Sequence, residues 1–126
     1  MFLHLSSKDC VQSHPDNHAW DFTIDVGKYV TLSGEWEVAL TEMLYDGARK
    51  MDLYVFSDIC SPTYVIDNCL PLLRIVNKPN IFQKPYFVPV SRNDIARIRI
   101  YIRTRNNNIP PFQPKSLRCT LQLKTI

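Results

Sequence analysis

The sequence lacks the short motifs by which many enzyme sites are recognised. Its 126 residues contain no Gly-x-Ser-x-Gly nucleophile motif, no phosphate-binding loop and no Cys-x-x-Cys pair. Two acidic residues, Asp58 and Asp67, flank one loop, but turn formation explains both better than a catalytic acid and base would. We therefore expect a protein that is not an enzyme, with no catalytic residues and no cofactor.

Long apolar segments and secretion signals are missing as well. No apolar run approaches the roughly 20 residues that a membrane helix needs. The opening segment, MFLHLSSKDC, holds histidine and lysine within a short apolar patch and has no small-residue cleavage site, and the chain has no Asn-x-Ser/Thr sequon. We expect a protein that is made inside a cell, is not secreted and does not enter a membrane.

The chain has four cysteines, Cys10, Cys60, Cys69 and Cys119. They allow two disulfides in three connectivities, but reduced core cysteines are favoured because no secretion signal is predicted. Cys10 also lies near His14 and His18 in sequence, and both residue types are zinc ligands. Their three-residue gaps match no common zinc motif, so we predict an ordinary polar loop and no metal site.

What the sequence does contain is the composition of one globular domain, spanning residues 1–126, with 45% hydrophobic and 21% charged residues. Its charge is unevenly distributed. Up to Cys69 there are 11 acidic and 4 basic residues, a net of minus 7, and from Leu70 onward 1 acidic and 11 basic, a net of plus 10. The two parts are electrostatic complements, which meet either within one molecule or between neighbouring molecules.

Apolar and polar residues alternate along almost every segment, which is typical of half-buried β-strands, and no window of a dozen residues has helical periodicity. The alternation predicts eight strands, with a short edge over 29–32. The predicted strands are Phe2 to Ser6, Asp21 to Val26, Glu35 to Leu44, Asp52 to Ile59, Leu70 to Val76, Tyr86 to Val90, Ile95 to Arg105 and Leu117 to Lys124.

The same alternation predicts which side chains form the core. Leu44 is expected to point into the core, whereas Glu42 breaks the inward pattern and is expected at a bend. The segment from Leu70 to Val76 is nearly all apolar and is expected to be covered on both faces, while Pro89 is expected at a sheet edge. The predicted core anchors are Phe22, Trp36, Val38, Leu40, Ile98, Ile100 and Leu121.

Eight short strands with long connections beside short ones favour an all-β fold, an eight-stranded antiparallel β-sandwich. A single jelly roll is the preferred form because its two four-stranded sheets use eight strands and leave few free edges.

Five blocks of the sequence occur in the order found in one protein family. They are LSGEWEVALTEM, LYVFSDI, PLLRIV, KPYFVPV and IRIYIRT, and the most specific piece is GEWEVAL, from Gly34 to Leu40. In this order they resemble the minor capsid (penton) protein of Polinton/Maverick elements and related adintoviruses. Here the first two blocks are joined by the short DGARKM where the family has a longer segment, and ICSPTYVIDN replaces the family's Glu-Pro-Gln-Ile-Val-Gly-Asp block.

The resemblance implies a single jelly roll whose copies form pentamers at capsid vertices, beside major capsid proteins with double jelly rolls. It thus implies a structural protein of the virion, assembled inside the host cell. The shortened chain is compatible with a capsid subunit, an accessory vertex protein or a domesticated host protein. The alternative is a β-sandwich binding module that recognises a protein or a glycan through its loops.

One predicted strand carries a ladder of basic residues: Arg97, Arg99, Tyr101, Arg103 and Arg105 are expected on one face. Three interpretations remain open. In the usual jelly-roll order the second and fourth strands flank this strand, so Asp21, Asp25, Asp52 and Asp58 can pair with the arginines. The ladder can instead contact another subunit, or it can follow the backbone of a nucleic acid, which is the least favoured of the three.

Other side chains are candidates for a contact between subunits. Glu35 and Glu37 point outward from the third predicted strand, where they can meet a basic neighbour. Tyr54 and Phe56 point outward from the fourth. Pro111 and Phe112 lie in a proline-rich loop that is either a stiff connection or a contact, since a preordered loop loses little entropy on binding.

Overall fold

The computed structural model describes residues 1–47 and 49–126, and the side chains of residues 27–30 lie outside that description. Ala48, in the connection between the third and fourth strands, is the residue left out. No helix able to cross a membrane occurs among the described residues. They form eleven β-strands: β1 (Phe2–Ser6), β2 (Asp21–Thr31), β3 (Trp36–Tyr45), β4 (Leu53–Ser57), β5 (Thr63–Val65), β6 (Asn68–Leu70), β7 (Leu72–Val76), β8 (Asn80–Ile81), β9 (Phe87–Pro89), β10 (Asp94–Arg103) and β11 (Leu117–Thr125).

The strands form antiparallel sheets. One sheet has the order β1-β11-β3, with both β8 and β9 alongside β3. A second has the order β2-β10-β4-β7, and β5 and β6 form a separate hairpin. Side chains from both larger sheets meet in one buried cluster, an arrangement consistent with a β-sandwich.

Most of the predicted core lies between these sheets. Phe22, Val38, Leu40, Ile98, Ile100 and Leu121 are each at most 1% exposed. Trp36 is a correction, because it is only half-buried and its indole Nε1 donates to the Ser33 carbonyl at 2.8 Å. It is the first residue of β3, paired with Thr125 at the end of β11, so it lies at the rim of the sheet. The fully buried tryptophan is Trp20, which precedes β2.

A bulge in β3 corrects a second core prediction. The register against β11 shifts between Thr120 and Leu121, which pair with Glu42 and Leu40. The extra residue reverses which side chains point inward, so Met43 and Tyr45 are buried and Leu44 is not. Glu42 lies at this irregularity, as its break in the alternation predicts.

Three short strands, β5, β6 and β8, raise the count above eight, and they lie in or beside segments predicted as connections. The predicted strand from Leu70 to Val76 is split at Pro71, which has no N–H to donate, and β7 forms an edge of its sheet with Ile75 exposed. It is therefore not covered on both faces. The predicted edge over 29–32 falls largely within β2. Pro89 does lie in an edge strand, since β9 pairs only with β3.

The β5–β6 hairpin covers part of the outer face of the four-stranded sheet. Its Val65 and Ile66 line the same cavity as Tyr54 and Phe56 of β4. Phe56 is 3% exposed although its strand position points outward. The hairpin therefore gives this sheet a second, small apolar contact.

Candidate interaction surfaces

The basic ladder on β10 lies between two strands, as predicted. In the register with β2, Arg97 is opposite Asp25 and Tyr101 is opposite Asp21. On the other side β10 pairs with β4, where Tyr101 is opposite Phe56. The ladder is thus in the middle of a sheet, with acidic side chains within reach.

The β2 flank pairs three of the arginines with two carboxylates. Arg99 makes two hydrogen bonds to the carboxylate of Asp21, Nε to Oδ1 at 3.0 Å and Nη2 to Oδ2 at 2.7 Å. Arg103 Nη2 lies 3.6 Å from the same carboxylate, and Arg97 Nε lies 3.3 Å from Asp25 Oδ1. The lateral pairing predicted from the sequence is confirmed on this flank.

These pairs shift the pKa values of Asp21, Asp25 and Arg99. Partial burial alone would raise the pKa of Asp21, but the hydrogen bond and charge of Arg99, with Arg103 and His18, outweigh it, so the pKa lies below its usual value. The pKa of Asp25 is lowered mainly by its hydrogen bond with His14, against a small opposing effect of burial, and also by Arg97. The Asp21 hydrogen bond is the main reason why the pKa of Arg99 is raised.

The β4 flank combines one acid with aromatic stacking. Asp58 accepts from the Arg99 backbone N–H at 3.0 Å and from Arg92 Nη2 at 3.1 Å. Tyr101 stacks on Phe56 with ring centroids 5.0 Å apart, and the Arg99 guanidinium carbon lies 4.4 Å from the Tyr101 ring centroid. Arg97, Arg99 and Arg103 each have an acidic partner within the sheet, which disfavours the nucleic-acid interpretation.

Arg105 does not belong to the ladder. β10 ends at Arg103, because the chain turns over residues 104–107 and the Asn107 N–H donates to the Thr104 carbonyl at 2.9 Å. The prediction that Arg105 shares a strand face with Arg97 to Arg103 is therefore wrong. Its side chain instead lines a cavity of about 310 Å³ between this turn and the tip of the β5–β6 hairpin.

Both tips that border this cavity have unusual backbone conformations. Only three non-glycine residues in the described chain have positive φ, and two of them, Ile66 at 52° and Asn107 at 62°, line the cavity. Asparagine tolerates this conformation, but a β-branched residue such as isoleucine is strained in it. No sequence pattern predicts this cavity, because the cavity depends on how the hairpin folds back.

The acidic positions of β3 have different surroundings. Glu37 Oε1 lies 3.5 Å from Lys124 Nζ on the neighbouring β11, so its basic neighbour is in its own sheet. Glu35 is exposed ahead of the strand, and its carbonyl accepts from the Ile126 N–H at 3.0 Å. Of the two, only Glu35 has a side chain that is fully open to solvent.

The proline-rich loop closes one end of the core. The carbonyl of Phe112 accepts from Trp20 Nε1 at 2.6 Å, and the two rings meet edge to face with centroids 5.1 Å apart. Phe112 also contacts Tyr45, whose pKa burial raises. Phe112 is therefore occupied within its own chain, and Pro111 is the exposed candidate of this loop.

Trp20 was missed in the sequence, although a signal existed. It lies two residues before Phe22 and four before Ile24, so the alternation that points these side chains inward continues back to Trp20 in the loop before β2.

The histidines of the loop between β1 and β2 have other partners than a metal ion: His14 Nε2 is 3.0 Å from Asp25, and His18 Nδ1 is 3.3 Å from the Trp20 backbone nitrogen. In the described residues no group of metal-ligating side chains converges around Cys10, which is free like the other three cysteines.

The two lateral edges of the sheets expose apolar side chains. At one edge, next to β7, β8 and β9, Ile75, Ile81 and Tyr86 are 47%, 63% and 62% exposed. At the opposite edge, formed by β1 and the loop after it, Phe2 and Val11 are 56% and 46% exposed. Sequence reasoning did not single out either edge, because it placed the contacts on strand faces and in the proline-rich loop.

A comparison of the chain with known protein families, with curated proteins and with solved structures found no match.

Proposed function

We propose that this protein is a viral or virus-derived capsid subunit with a single jelly-roll fold, assembled with its own copies at a capsid vertex of the virion. The observation that carries the proposal is the strand order. When the β5–β6 hairpin is set aside and β8 and β9 are counted as one interrupted strand, eight strands remain. In chain order they run 1-8-3-6 in one sheet and 2-7-4-5 in the other, an order that supports a jelly roll.

The lateral edges support assembly of the head-to-tail kind. Each edge has exposed apolar side chains, and the two sets differ, so the contact joins unlike surfaces. Such a heterologous contact closes into a ring when the rotation between subunits fits, and we favour five copies. Each edge also ends in a strand with unpaired backbone groups, which a neighbour can cover.

The charged residues at the two edges also differ, which would orient neighbouring subunits. From Leu72 to Val90 there are three basic residues, Arg74, Lys78 and Lys84, and no acidic one. At the opposite edge, the loop after β1 has Asp9 and Asp16 exposed, and Lys8 is the one lysine or arginine of that loop. A basic edge against an acidic edge aligns neighbours and disfavours contacts between like edges. The double jelly-roll major capsid protein would then bind the assembled ring.

Two edge variants test the head-to-tail arrangement. Ile81→Asp blocks the basic edge and Phe2→Asp blocks the acidic edge, so each protein alone should be monomeric in sedimentation velocity. Mixed in equal amounts they should form a dimer and nothing larger, because one intact edge of each kind remains.

Tyr64→Asp is the matched control, since Tyr64 is 84% exposed on the β5–β6 hairpin and should leave the wild-type oligomer unchanged. The proposal fails if the edge variants sediment as the wild type does, or if their mixture stays monomeric.

A further inference from the structure

The groove between the β5–β6 hairpin and the turn at 104–107 has the composition of a ligand site. We propose that it binds a single sugar residue that carries a carboxylate, such as a uronic acid. The groove lies on the outer face of the four-stranded sheet and not at the lateral edges, so this inference goes beyond the assembly function.

The apolar part of the groove matches the carbon face of a sugar ring. Tyr54 and Phe56 line it from β4, where the half-buried Tyr54 is the accessible ring because Phe56 is 3% exposed, and Val65 and Ile66 line it from the hairpin. Aromatic side chains offer a flat apolar surface, on which the C–H groups of a pyranose can lie. Phe56 is held in place from behind by its stacking on Tyr101.

The polar part matches hydroxyl groups. The lining includes the amide side chains of Asn68, Asn106 and Asn107, all three exposed, and the hydroxyl of Thr104. An amide both donates and accepts hydrogen bonds, as a sugar hydroxyl does. Three amides around an aromatic ring suit a polyhydroxylated ligand better than an apolar one.

Arg105 selects a carboxylate. It forms no ion pair with the described residues, in contrast to Arg97, Arg99 and Arg103, and no acidic residue lines the cavity. A guanidinium binds a carboxylate through two parallel hydrogen bonds. With one free cation in the lining, the site suits one negative charge and not a polyanion.

The volume of the groove and the backbone conformation of two of its lining residues are consistent with a small ligand. The volume of about 310 Å³ is at the lower end of the roughly 300 to 1,000 Å³ of small-molecule sites, which suits one sugar residue. The strained Ile66 and the left-handed Asn107 both line the groove. Strained residues of this kind cluster at ligand sites.

The test is a titration of the full-length ¹⁵N-labelled protein with D-glucuronate and D-glucose, which differ at one carbon, a carboxylate against a CH₂OH group. Glucuronate should shift the backbone amide signals of Asn68 and Asn107 in a saturable way, with millimolar affinity. Glucose should bind the same residues about tenfold more weakly, since it lacks the charged hydrogen bonds. Arg105→Gln should reduce glucuronate binding to the level of glucose.

Arg118→Gln is the matched control, because Arg118 is exposed on β11 of the other sheet and its loss changes the net charge equally. It should leave both affinities unchanged. The inference is overturned if neither sugar shifts these signals. It is also overturned if acetate or N-acetylglutamate shifts them as strongly as glucuronate, which would indicate a general anion site or a peptide site.

Discussion

Arg99 and Asp21 form a two-point ion pair across β10 and β2, with hydrogen bonds of 3.0 and 2.7 Å. The pair joins the strongly basic second part of the sequence to the acidic first part. The charge asymmetry of the chain is thus partly resolved inside one sheet.

Asp21→Asn should lower the free energy of unfolding and make it less dependent on pH in the acid range. The pKa of Asp21 is lowered in the folded state. Its contribution to stability is therefore complete above the unfolded value of about 3.9 and is lost as the pH falls through the lowered folded pKa. Because both side chains are partly exposed, we expect a loss of about 1 kcal/mol at pH 7.

Urea unfolding at pH 7 and at pH 3 measures both effects. The difference between wild type and Asp21→Asn should shrink at the lower pH. Asp16→Asn, at an exposed loop position, is the control and should follow the wild type at both values. If the free energies of unfolding of Asp21→Asn and wild type differed by the same amount at pH 7 and at pH 3, the proposed role of the pair would be contradicted.

The two tryptophans should differ in their contribution to stability. Trp20 is fully buried and donates to Phe112, so Trp20→Ala should lower the free energy of unfolding by about 3 to 5 kcal/mol. Trp36 is half-buried at a sheet rim, so Trp36→Ala should cost less than about 2 kcal/mol. Urea unfolding compares the two, and a larger loss for Trp36→Ala would contradict the core described above.

The tryptophans also show how far the sequence predicts the fold. Alternation identified β10 and β11 and their buried residues, because these strands run through the middle of a sheet and have one buried face. It failed at β3, where a bulge changes which residues point inward, and at Trp36, because alternation gives the face of a residue but not its distance from the sheet end. The bulge is set by pairing with β11, a contact distant in sequence.

The candidate surfaces were harder to predict than the strands. The pairing of the ladder followed from charge once the neighbours of β10 were known. The cavity did not follow, because the fold-back of the hairpin at residues 63–70 depends on tertiary contacts and on a positive φ at Ile66, a residue type that gives no turn signal.

Replacing Ile66 should stabilise the protein. Its φ of 52° is unfavourable for isoleucine, whereas asparagine adopts this conformation readily. Ile66→Asn should therefore raise the free energy of unfolding by about 1 kcal/mol. Ile109→Asn, a similarly exposed position without positive φ, should give no gain in thermal or urea unfolding. An equal effect of both substitutions would show that strain at Ile66 is not the cause.

The cysteines should react with iodoacetamide at very different rates. Burial raises the pKa of the Cys60 and Cys119 thiols to about 12, so neither forms the reactive thiolate near pH 8. Cys69 is exposed on the hairpin. Mass spectrometry of the native protein should find Cys69 modified first and Cys60 and Cys119 protected until urea is added. Early modification of Cys119 would contradict its buried position.

The central claim is that copies of this chain associate through unlike edges into a closed ring. The most direct test is the molar mass of the purified wild-type protein, by light scattering after size exclusion, at low and at moderate salt. The account predicts one defined oligomer, a pentamer above all, that is weakened by salt because the edges are oppositely charged. A monomer at every concentration and salt would contradict it.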